Sequence, residues 1–521
     1  MSTQIALRLS LPETAQALFM RHPLLRRAVG RHGEALVGIY YDTRRLALHK
    51  RGISLRLRKD GAGWLQTVKC DSESQGGLTA RREWETPYLN RFDFSAIDDE
   101  AVRRFLEKPK VARGLTALFE TSFRRIAWQL QPAHNVSLLV MLDRGWIASN
   151  GRRAPISEVE IELLKGSPAR LYDIAFDLAA RVPLTPELVS KAERGYRLAH
   201  DVRAAPTRAT PVAIAAADRP LAAFRAIALN CLAQLHCNHG GALLGADAEY
   251  VHQMRVATRR LRAAMRMFEP VLPEDFVEAL VPPLRELMSV LGRTRDLDVL
   301  LTEIIGPVSA ALGDDPRIST LAGILTDKRF ASHGDTGRFL ARPDYGRLIL
   351  LAASLLNGKA LAEPAPPVVE QPATEPVAAE TLIEFAQRRL RKLQRRTHHL
   401  AALARIDDPT SLHALRIAIK RLRYAIEFFG PLMPKRSFGA AARRLAALQD
   451  KLGQLNDLAN AGTVLMACAG NDPNLREAVA LIGGWYGPRH AELLAAVPAQ
   501  LEVVRELRLP RIHQTRPPSS D

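Results

Sequence analysis

The chain of 521 residues carries 73 Lys and Arg against 55 Asp and Glu, a formal net charge of +18 that predicts a polyanionic partner. Its length has room for two or three domains, and a hydrophobic content of 47% supplies their cores. No apolar run reaches the roughly 18 residues of a membrane span, and the alternating N-terminus is unlike a signal peptide, so we expect a cytoplasmic protein.

Residues 1–203 predict strands with helices between them. Each predicted strand has one apolar face and one face that carries charges of both signs, as where Glu158, Glu160 and Glu162 alternate with Val159 and Ile161. An open sheet with its charged face in water would explain this pattern. A sheet closed into a barrel with a polar lumen and helices outside would also explain it.

The density of charge favours the barrel. Arg56, Arg58, Lys69 and Arg81 would then face carboxylates in a channel suited to a phosphate chain and a metal ion.

Seven segments in this region support a family assignment. In chain order they are Ile39-Tyr40-Tyr41-Asp42-Thr43, Leu55-Arg56-Leu57-Arg58, Thr67-Val68-Lys69, Gly76-Gly77-Leu78 with Arg81 and Glu83, Leu142-Asp143-Arg144-Gly145, Ser157-Glu158-Val159-Glu160-Ile161-Glu162-Leu163, and Ser190-Lys191-Ala192-Glu193-Arg194-Gly195-Tyr196. Together they resemble the CYTH domain of the triphosphate tunnel metalloenzymes. The resemblance implies an eight-stranded antiparallel tunnel that hydrolyses inorganic triphosphate, or binds related polyphosphates, with Mg²⁺ or Mn²⁺.

The resemblance also implies roles for individual side chains. The implied triphosphate-binding residues are Arg8, Arg56, Arg58, Lys69, Arg81, Arg125 and Lys191. The implied metal ligands are Glu158, Glu160, Glu162 and Asp143.

The first strand departs from the family pattern. The family opens with Glu-x-Glu-x-Lys, whereas this chain has Gln4-Ile5-Ala6-Leu7-Arg8, and two further tunnel positions, usually Lys and Glu, are Ala127 and Leu139. Losing carboxylates weakens a divalent metal site. We therefore expect a weakly held metal and triphosphate binding with weak or no hydrolysis, and we assign no catalytic residue.

Residues 204–219 form a Pro- and Ala-rich linker, and a helical pattern follows it. Within that pattern, His252, Arg255, Arg259, Arg262 and Arg266 share one helix face, opposite an apolar face. A basic face is commonly only a solvated face.

Here, however, the pattern recurs with the same spacing at His413, Arg416, Lys420 and Arg423, which indicates an internal duplication and favours an anion site. Phosphates near His252 and His413 would favour their charged forms, so we expect binding to tighten as the pH falls.

This second region resembles the CHAD domain. The resemblance implies two pseudo-symmetric four-helix halves whose basic helices face a groove for inorganic polyphosphate. The predicted polyphosphate-binding residues are His252, Arg255, Arg259, Arg260, Arg262, Arg266, His413, Arg416, Lys420, Arg421 and Arg423. We predict a multi-domain α+β protein in which the helical domain spans 220–509, with halves at about 220–361 and 381–509, a disordered insert at 362–380 and a frayed tail at 510–521.

The two halves differ in charge. Residues 381–461 hold 16 Lys and Arg against 6 Asp and Glu, whereas residues 220–300 hold 9 of each. The second half should therefore dominate the long-range attraction of anions.

Duplex DNA or RNA is the main rival partner, because any basic stripe attracts phosphates. The basic stripes contain no aromatic side chains for stacking, which favours a ligand made of phosphate alone. A membrane surface is less favoured, because the face opposite the cations is apolar and neighbouring helices can cover it.

We therefore expect a polyphosphate-binding protein, with polyphosphate granules as one location. An inorganic triphosphatase is the first alternative and a nucleic-acid-binding protein the second.

Four scattered cysteines are typical of reduced thiols. Cys231, His236, Cys237 and His239 lie close together but match no metal-ligand spacing, so we predict that both cysteines are packing residues.

Overall fold

The computed structural model describes residues 2–61, 63–70, 78–202, 204–313, 315–358, 380–510 and 512. The chain divides into two compact units, the first formed by residues 1–205 with 341–358 and the second by residues 206–340 with 359–521. Gly76-Gly77, the predicted insert apart from Glu380, and the predicted tail apart from Pro510 and Ile512 lie outside the described residues.

The first unit is built on an antiparallel sheet. Its strands are β1 (Ser2–Ser10), β2 (Gly30–Thr43), β3 (Ile53–Asp60), β4 (Gly63–Cys70), β5 (Leu78–Pro87), β6 (Leu115–Ala133), β7 (Val136–Ser149), β8 (Arg152–Lys165) and the short β9 (Thr185–Pro186). The order β5-β4-β3-β2-β6-β7-β8-β1-β9 is completed by a second pairing of β5 with β1. Strands β1 to β8 therefore close on themselves, which confirms the predicted eight-stranded tunnel.

The sequence between β7 and β8 explains the tight turn that joins these two long strands. Asn150 and Gly151 join β7 to β8 with positive φ angles of 51° and 75°. An Asn-Gly pair adopts this type I′ geometry at little cost, and its twist matches that of the flanking strands. The turn fixes the register that places Glu158 opposite Asp143 and Glu160 opposite Met141.

The helices of the first unit's sheet are α1 (Gln16–Met20), α2 (Glu100–Leu106), α3 (Pro109–Ala112), α4 (Ala169–Ala179) and α5 (Lys191–Ala199). Helices α1 to α4 cover the outside of the sheet, as expected, whereas α5 packs against the inner face of β6, which carries Phe119 and Phe123. Helix α5 lies close against β6, because a Cβ atom at Gly195 would come within 2.1 Å of the Phe119 ring. The side chain of Ser190 accepts a hydrogen bond from the Glu193 amide and so caps α5.

The second unit is helical. Its first half contains α6 (Pro220–Cys237), α7 (His239–Leu243), α8 (Ala248–Phe268), α9 (Glu274–Val299), a π-helix (Leu300–Ile305), α10 (Gly306–Leu312) and α11 (Pro316–Leu340). Next along the chain, α12 (Pro343–Asn357) packs within the first unit, where Asn357 donates a hydrogen bond to the hydroxyl of Tyr172. The second half contains α13 (Leu382–Leu403), α14 (Pro409–Phe429), α15 (Lys435–Ala469) and α16 (Pro473–Arg505).

The duplication is visible in these bounds. The sequence shift that superimposes His252 on His413 also superimposes both ends of α8 on those of α14, and the start of α9 on that of α15. Phe268, which packs against Phe224, meets the repeats of both residues, Phe385 and Phe429, and the Phe268 and Phe385 rings are 5.0 Å apart. The repeated phenylalanines thus form a shared core for two halves of four long helices each, which confirms the predicted helical fold.

The prediction for the two cysteines near the end of α6 holds for only one of them. Cys231 is buried, whereas Cys237 is exposed and is not a packing residue.

Helix α12 differs from the predicted organisation. The sequence predicts that it belongs to the first helical half, at about 220–361. In the structure, a Cβ atom at Gly346 would lie 1.8 Å from the carbonyl oxygen of Leu184, so α12 packs directly against the first unit.

Candidate functional site

A polar cavity of about 800 Å³ lies inside the closed sheet. Strand pairing places its side chains, since Arg8 of β1 is opposite Glu160 of β8 and Ala6 is opposite Glu162. We call this the tunnel cavity. Its charged lining residues are Arg8, Glu34, Arg56, Arg58, Lys69, Glu83, Glu85, Arg125, Glu158, Glu160, Glu162 and Lys191.

One wall of the tunnel cavity is an ion-pair network centred on Asp143. Arg125 donates to both carboxylate oxygens of Asp143, at 2.7 and 2.8 Å, and the Lys191 ammonium lies 2.8 Å from Asp143. Burial would raise the pKa of Asp143, but Lys191 and Arg125 outweigh it and lower the pKa to about 2. Asp143 is therefore ionised and neutralised by cations from within the protein.

Glu158 is held in a similar way. It accepts hydrogen bonds from Lys191 and from Arg194, and it is 2% exposed. Asp143 and Glu158, two of the four predicted metal ligands, are thus each paired with two cations, and a third, Glu160, is paired with Arg125.

The opposite wall contains further ion pairs. Lys69 lies 2.8 Å from Glu83, and Arg58 lies 3.4 Å from Glu85, which also accepts a hydrogen bond from Thr67. Burial and the charge of Arg56 lower the pKa of Lys69. Cations and carboxylates alternate around this wall, so neither sign dominates.

Glu160 and Glu162 are the carboxylates best placed for a metal ion. Burial, together with the charge of Glu160, raises the pKa of Glu162, although a hydrogen bond from Gln4 opposes this rise. Glu160 lies 3.4 Å from Arg125. Within the described ranges, however, no group of three or more His, Cys, Asp or Glu residues is arranged to hold a metal ion.

This arrangement does not fit a metal held by protein ligands alone. Mg²⁺ is commonly bound by one or two carboxylates together with phosphate oxygens and water. Glu160 and Glu162 fit that mode, in which the ion arrives with its phosphate ligand.

The structure places most of the predicted tunnel residues together. Of the predicted cations, all but Arg81 line the cavity, and the side chain of Arg81 lies outside the described residues. Sequence reasoning assigned no role to Glu34, Glu83 or Glu85. The parity of Glu83 and Glu85 with Arg81 was the signal that could have identified two of them.

A second cavity, of about 700 Å³, lies between helices of the second unit. We call it the basic groove. Its cationic and histidine lining residues are His252, Arg255, Arg259, Arg295, Arg416 and Lys420. Arg255 and Arg259 of α8 correspond in the repeat to Arg416 and Lys420 of α14, so both copies of the motif converge on one cavity.

Four carboxylates also line the basic groove, beside its five Lys and Arg side chains, so cations exceed carboxylates by one among the described lining residues. Asp296, Glu303, Asp450 and Asp457 come from α9, the π-helix and α15. Arg255 lies 3.7 Å from Asp296. Burial and then the charges of Arg259, Arg416, Arg255 and Arg423 lower the pKa of Lys420 to about 7.

Several nitrogen atoms in the groove have no hydrogen-bond partner in the described part of the chain. They are Nδ1 of His252, Nε of Arg255 and Nε of Arg416. Burial and the charge of Arg295 lower the pKa of His252. These buried nitrogen atoms leave hydrogen-bonding capacity unsatisfied beside the groove.

Tyr424 contacts two of the arginines. Arg259 donates to its hydroxyl and lies over its ring. Arg423 lies 5.1 Å from the centroid of the same ring and donates a hydrogen bond to Gln449. The sequence did not identify Tyr424 because no aromatic residue occupies the equivalent position, Ala263, in the first repeat.

The other predicted residues, including Arg423, do not line the groove, although His413 contacts a residue that does. Arg260 is 2% exposed and pairs with Glu427. His413 is exposed and contacts Asn456, while Arg262, Arg266 and Arg421 do not line the groove.

Sequence reasoning did not assign Arg295 to the site. Arg295 adjoins Asp296-Leu297, a pair that recurs at Asp457-Leu458 in the second repeat. This recurrence could have indicated that Arg295 lies near the site. Asp296 and Asp457 both line the groove, and burial together with the charge of Asp457 raises the pKa of Asp296 despite the opposing charge of Arg255.

No helix in the described ranges is long and apolar enough to cross a membrane.

Family models match both regions. A model of the CYTH domain matches residues 6–196, and a model of the CHAD domain matches residues 226–466. An inorganic triphosphatase of Haemophilus influenzae is 28% identical over 159 residues, which cover 30% of this chain and 44% of the relative, so the match spans less than half of that protein.

Two solved structures also match. The CHAD domain of the plant Ricinus communis is 32% identical, and the match covers 59% of this chain and 99% of that chain with a TM-score of 0.49. The protein HpAC1 of Hippeastrum, whose structure is reported with a dominant triphosphatase activity, is 16% identical, and the match covers 38% of this chain and 96% of that chain with a TM-score of 0.29.

Proposed function

Because this chain belongs to the proteins that join a CYTH domain to a CHAD domain, we propose that it binds inorganic polyphosphate in the basic groove and triphosphate-type ligands in the tunnel cavity. The observation that carries this proposal is the convergence of both repeated cationic motifs on one groove. Granules of polyphosphate are then a natural location for the protein.

The groove suits a ligand that is rich in phosphate. Guanidinium groups form paired, charge-assisted hydrogen bonds with phosphate oxygens, and Arg255 and Arg416 each retain an Nε atom without a partner among the described residues. Burial and then the surrounding cations lower the pKa of Lys420, and anions that enter the groove relieve the repulsion between these cations. Binding therefore replaces repulsion between cations by attraction to phosphates.

The tunnel cavity requires a different mode of binding. Its six Lys and Arg side chains are matched by six glutamates among the described lining residues. A triphosphate that enters this cavity, in which positive and negative charges are equal in number, brings excess negative charge. A divalent cation bound to the phosphates would offset that excess. Glu160 and Glu162 would hold the ion weakly, and Arg56, Arg125 and Lys191 would contact the phosphates.

The groove assignment can be tested with the double variant Arg416→Gln with Lys420→Gln in the full chain. We expect long-chain polyphosphate to bind at least about tenfold more weakly, because two phosphate contacts are lost. The matched control is Arg338→Gln with Arg405→Gln, which removes the same charge at exposed positions paired with Asp335 and Asp407. Equal affinities of the two double variants in a titration would contradict the assignment.

Inorganic triphosphatase activity is the second candidate function. Among its described lining residues, the tunnel cavity contains six Lys and Arg side chains as well as Glu160 and Glu162. These residues favour a triphosphatase activity. A metal ion in such a site supplies electrostatic stabilisation of the transferring phosphoryl group. Gln4 and Ala6, however, stand where the family pattern implies carboxylates, and Ala6 is the strand partner of Glu162.

Losing one stabilising group commonly lowers the rate about a hundredfold to a thousandfold. We therefore expect triphosphate turnover close to background in the unmodified chain and a measurable rise in Gln4→Glu with Ala6→Glu. Phosphate release with Mg²⁺ or Mn²⁺ measures both. Robust metal-dependent turnover by the unmodified chain would instead establish the enzyme.

A further inference from the structure

Two equivalent arginines of the duplication have different environments. Arg260 and Arg421 occupy the same position in the two repeats. Arg260 is 2% exposed, and its Nε donates to Glu427 at 2.8 Å while Nη1 donates to Asn230 at 3.2 Å and to Gln234 at 2.9 Å. A carboxylate and two amides thus satisfy this guanidinium within the bundle.

The repeat replaces all three of these partners by arginine. The shift that relates Arg260 to Arg421 also relates Glu427 to Arg266, Asn230 to Arg391 and Gln234 to Arg395. The arginine that is neutralised in one half therefore has only cations at the corresponding positions in the other half.

The structure shows the consequence around Arg421. Burial and then the charges of Arg266 and Arg396 lower the pKa of Arg421, and its buried Nε has no hydrogen-bond partner in the described ranges. Arg262 has a lowered pKa for the same kind of reason, from burial and then the charges of Arg266 and Arg285. No ion pair links Arg421, Arg266 or Arg262 to a carboxylate of the described chain.

Arg389 lies next to these residues, since it donates a hydrogen bond to the carbonyl oxygen of Arg266 at 2.8 Å. Burial and the charge of Arg388 lower the pKa of Arg389, and the charge of Glu269 opposes this shift. We call these residues the arginine cluster. Its members are Arg262, Arg266, Arg285, Arg389, Arg396 and Arg421.

We propose that the arginine cluster is a second anion site, separate from the basic groove, which takes further phosphates of a polyphosphate chain already held in the groove. This inference rests on the proposed function. None of the cluster residues lines the groove. Arg259 of the groove and Arg266 of the cluster lie two helical turns apart on α8, which corresponds to about 10 Å along the helix.

The chemistry favours phosphate as the ligand. Clustered guanidiniums repel one another unless an anion lies between them, and each can offer two parallel hydrogen bonds to phosphate oxygens. A flexible linear polyanion can occupy both sites at once, and the second site raises the overall affinity without a second binding partner. The groove and the cluster together therefore select long chains over short ones.

The substitution Arg266→Glu tests this site, because it places beside Arg421 the residue type that neutralises Arg260. We expect the full-length variant to be at least as stable as the unmodified chain. We expect its affinity for long-chain polyphosphate to fall at least about tenfold, with a shallower dependence on salt as fewer counterions are released. Triphosphate binding in the tunnel cavity should be unchanged.

The control is Arg338→Glu, which makes the same change of charge at an exposed position of α11. If both variants bind long-chain polyphosphate with equal affinity and salt dependence, the cluster is not a phosphate site, although the proposed function stands. A larger loss of affinity for duplex DNA than for polyphosphate would also overturn the inference. If the unmodified chain binds no polyphosphate, the proposed function fails and this inference fails with it. If the Arg266→Glu variant does not fold, the double variant Arg396→Gln with Arg421→Gln replaces it, and the same outcomes decide.

Discussion

At the scale of single residues, the same side chain has different roles in different surroundings. The periodicity of α8 made Arg259 a candidate ligand and the resemblance to the CHAD domain added Arg260, yet Arg259 lines the groove while Arg260 is buried against Glu427. Glu427 lies far away in sequence, in the other half of the duplication. A helical pattern shows which face a residue occupies but not which distant carboxylate neutralises it.

Lys420 should set the pH dependence of polyphosphate binding. Its pKa in the free protein is about 7, and bound phosphates raise it. Below that pH, Lys420 is charged both before and after binding, whereas above it binding must take up a proton. Affinity should therefore fall as the pH rises from about 7 to about 9, by up to roughly tenfold per pH unit.

Lys420→Arg should abolish this fall, because arginine stays charged throughout the range. The equivalent residue in the first repeat, Arg259, shows that the groove accommodates an arginine. His252 does not account for the same window, because its lowered pKa places its titration at lower pH. An unchanged pH profile in Lys420→Arg, measured by polyphosphate titration, would refute the role of Lys420.

Asp143 should stabilise the tunnel at the expense of ligand affinity. Asp143→Asn leaves Arg125 and Lys191 without their main counter-charge, so we expect the stability of the first unit to fall by about 3 kcal/mol. The freed cations should bind triphosphate about fivefold more tightly. Thermal unfolding and a triphosphate titration measure the two effects, and weaker triphosphate binding that tracks a loss of metal affinity would instead identify Asp143 as a metal ligand.

At the scale of secondary-structure elements, the duplication was the most informative feature of the sequence. The recurrence of the basic motif at a constant offset predicted two equivalent helices, and the bounds of α8 and α14 reproduce that offset. The density of charge in the strands favoured a closed barrel over an open sheet, and the resemblance to the CYTH domain implied the eight-stranded tunnel; the strand pairing confirms both. The packing of α12 in the first unit could not be predicted, because the contact between Gly346 and Leu184 joins distant parts of the chain.

The equivalent arginines of α8 and α14 should differ in their contribution to stability. Arg260→Gln breaks the pair with Glu427 and leaves the amide oxygens of the half-buried Asn230 and the buried Gln234 without this donor, so we expect a loss of about 2 to 3 kcal/mol. Arg421→Gln relieves repulsion and should change stability by less than about 0.5 kcal/mol or increase it. Urea unfolding followed by circular dichroism compares the two, and equal losses would show that the repeats are energetically alike.

At the scale of the whole molecule, the net charge of +18 predicted a polyanionic partner but not where it binds. The cations in the tunnel cavity are balanced by glutamates, whereas cations converge in the basic groove and the arginine cluster. The sequence located the cationic motifs because they recur. It did not reveal the carboxylates that neutralise some of them, since those partners come from other strands and helices.

The most direct test of the central claim is a competition titration of the full chain with long-chain polyphosphate and duplex DNA at equal phosphate concentration, repeated over a range of salt. Because the groove offers guanidinium and ammonium groups but no exposed stacking platform among its described lining residues, we predict that polyphosphate binds more tightly and that DNA fails to displace it. Affinity for polyphosphate should fall steeply as salt increases. Displacement of polyphosphate by DNA under these conditions would contradict the account.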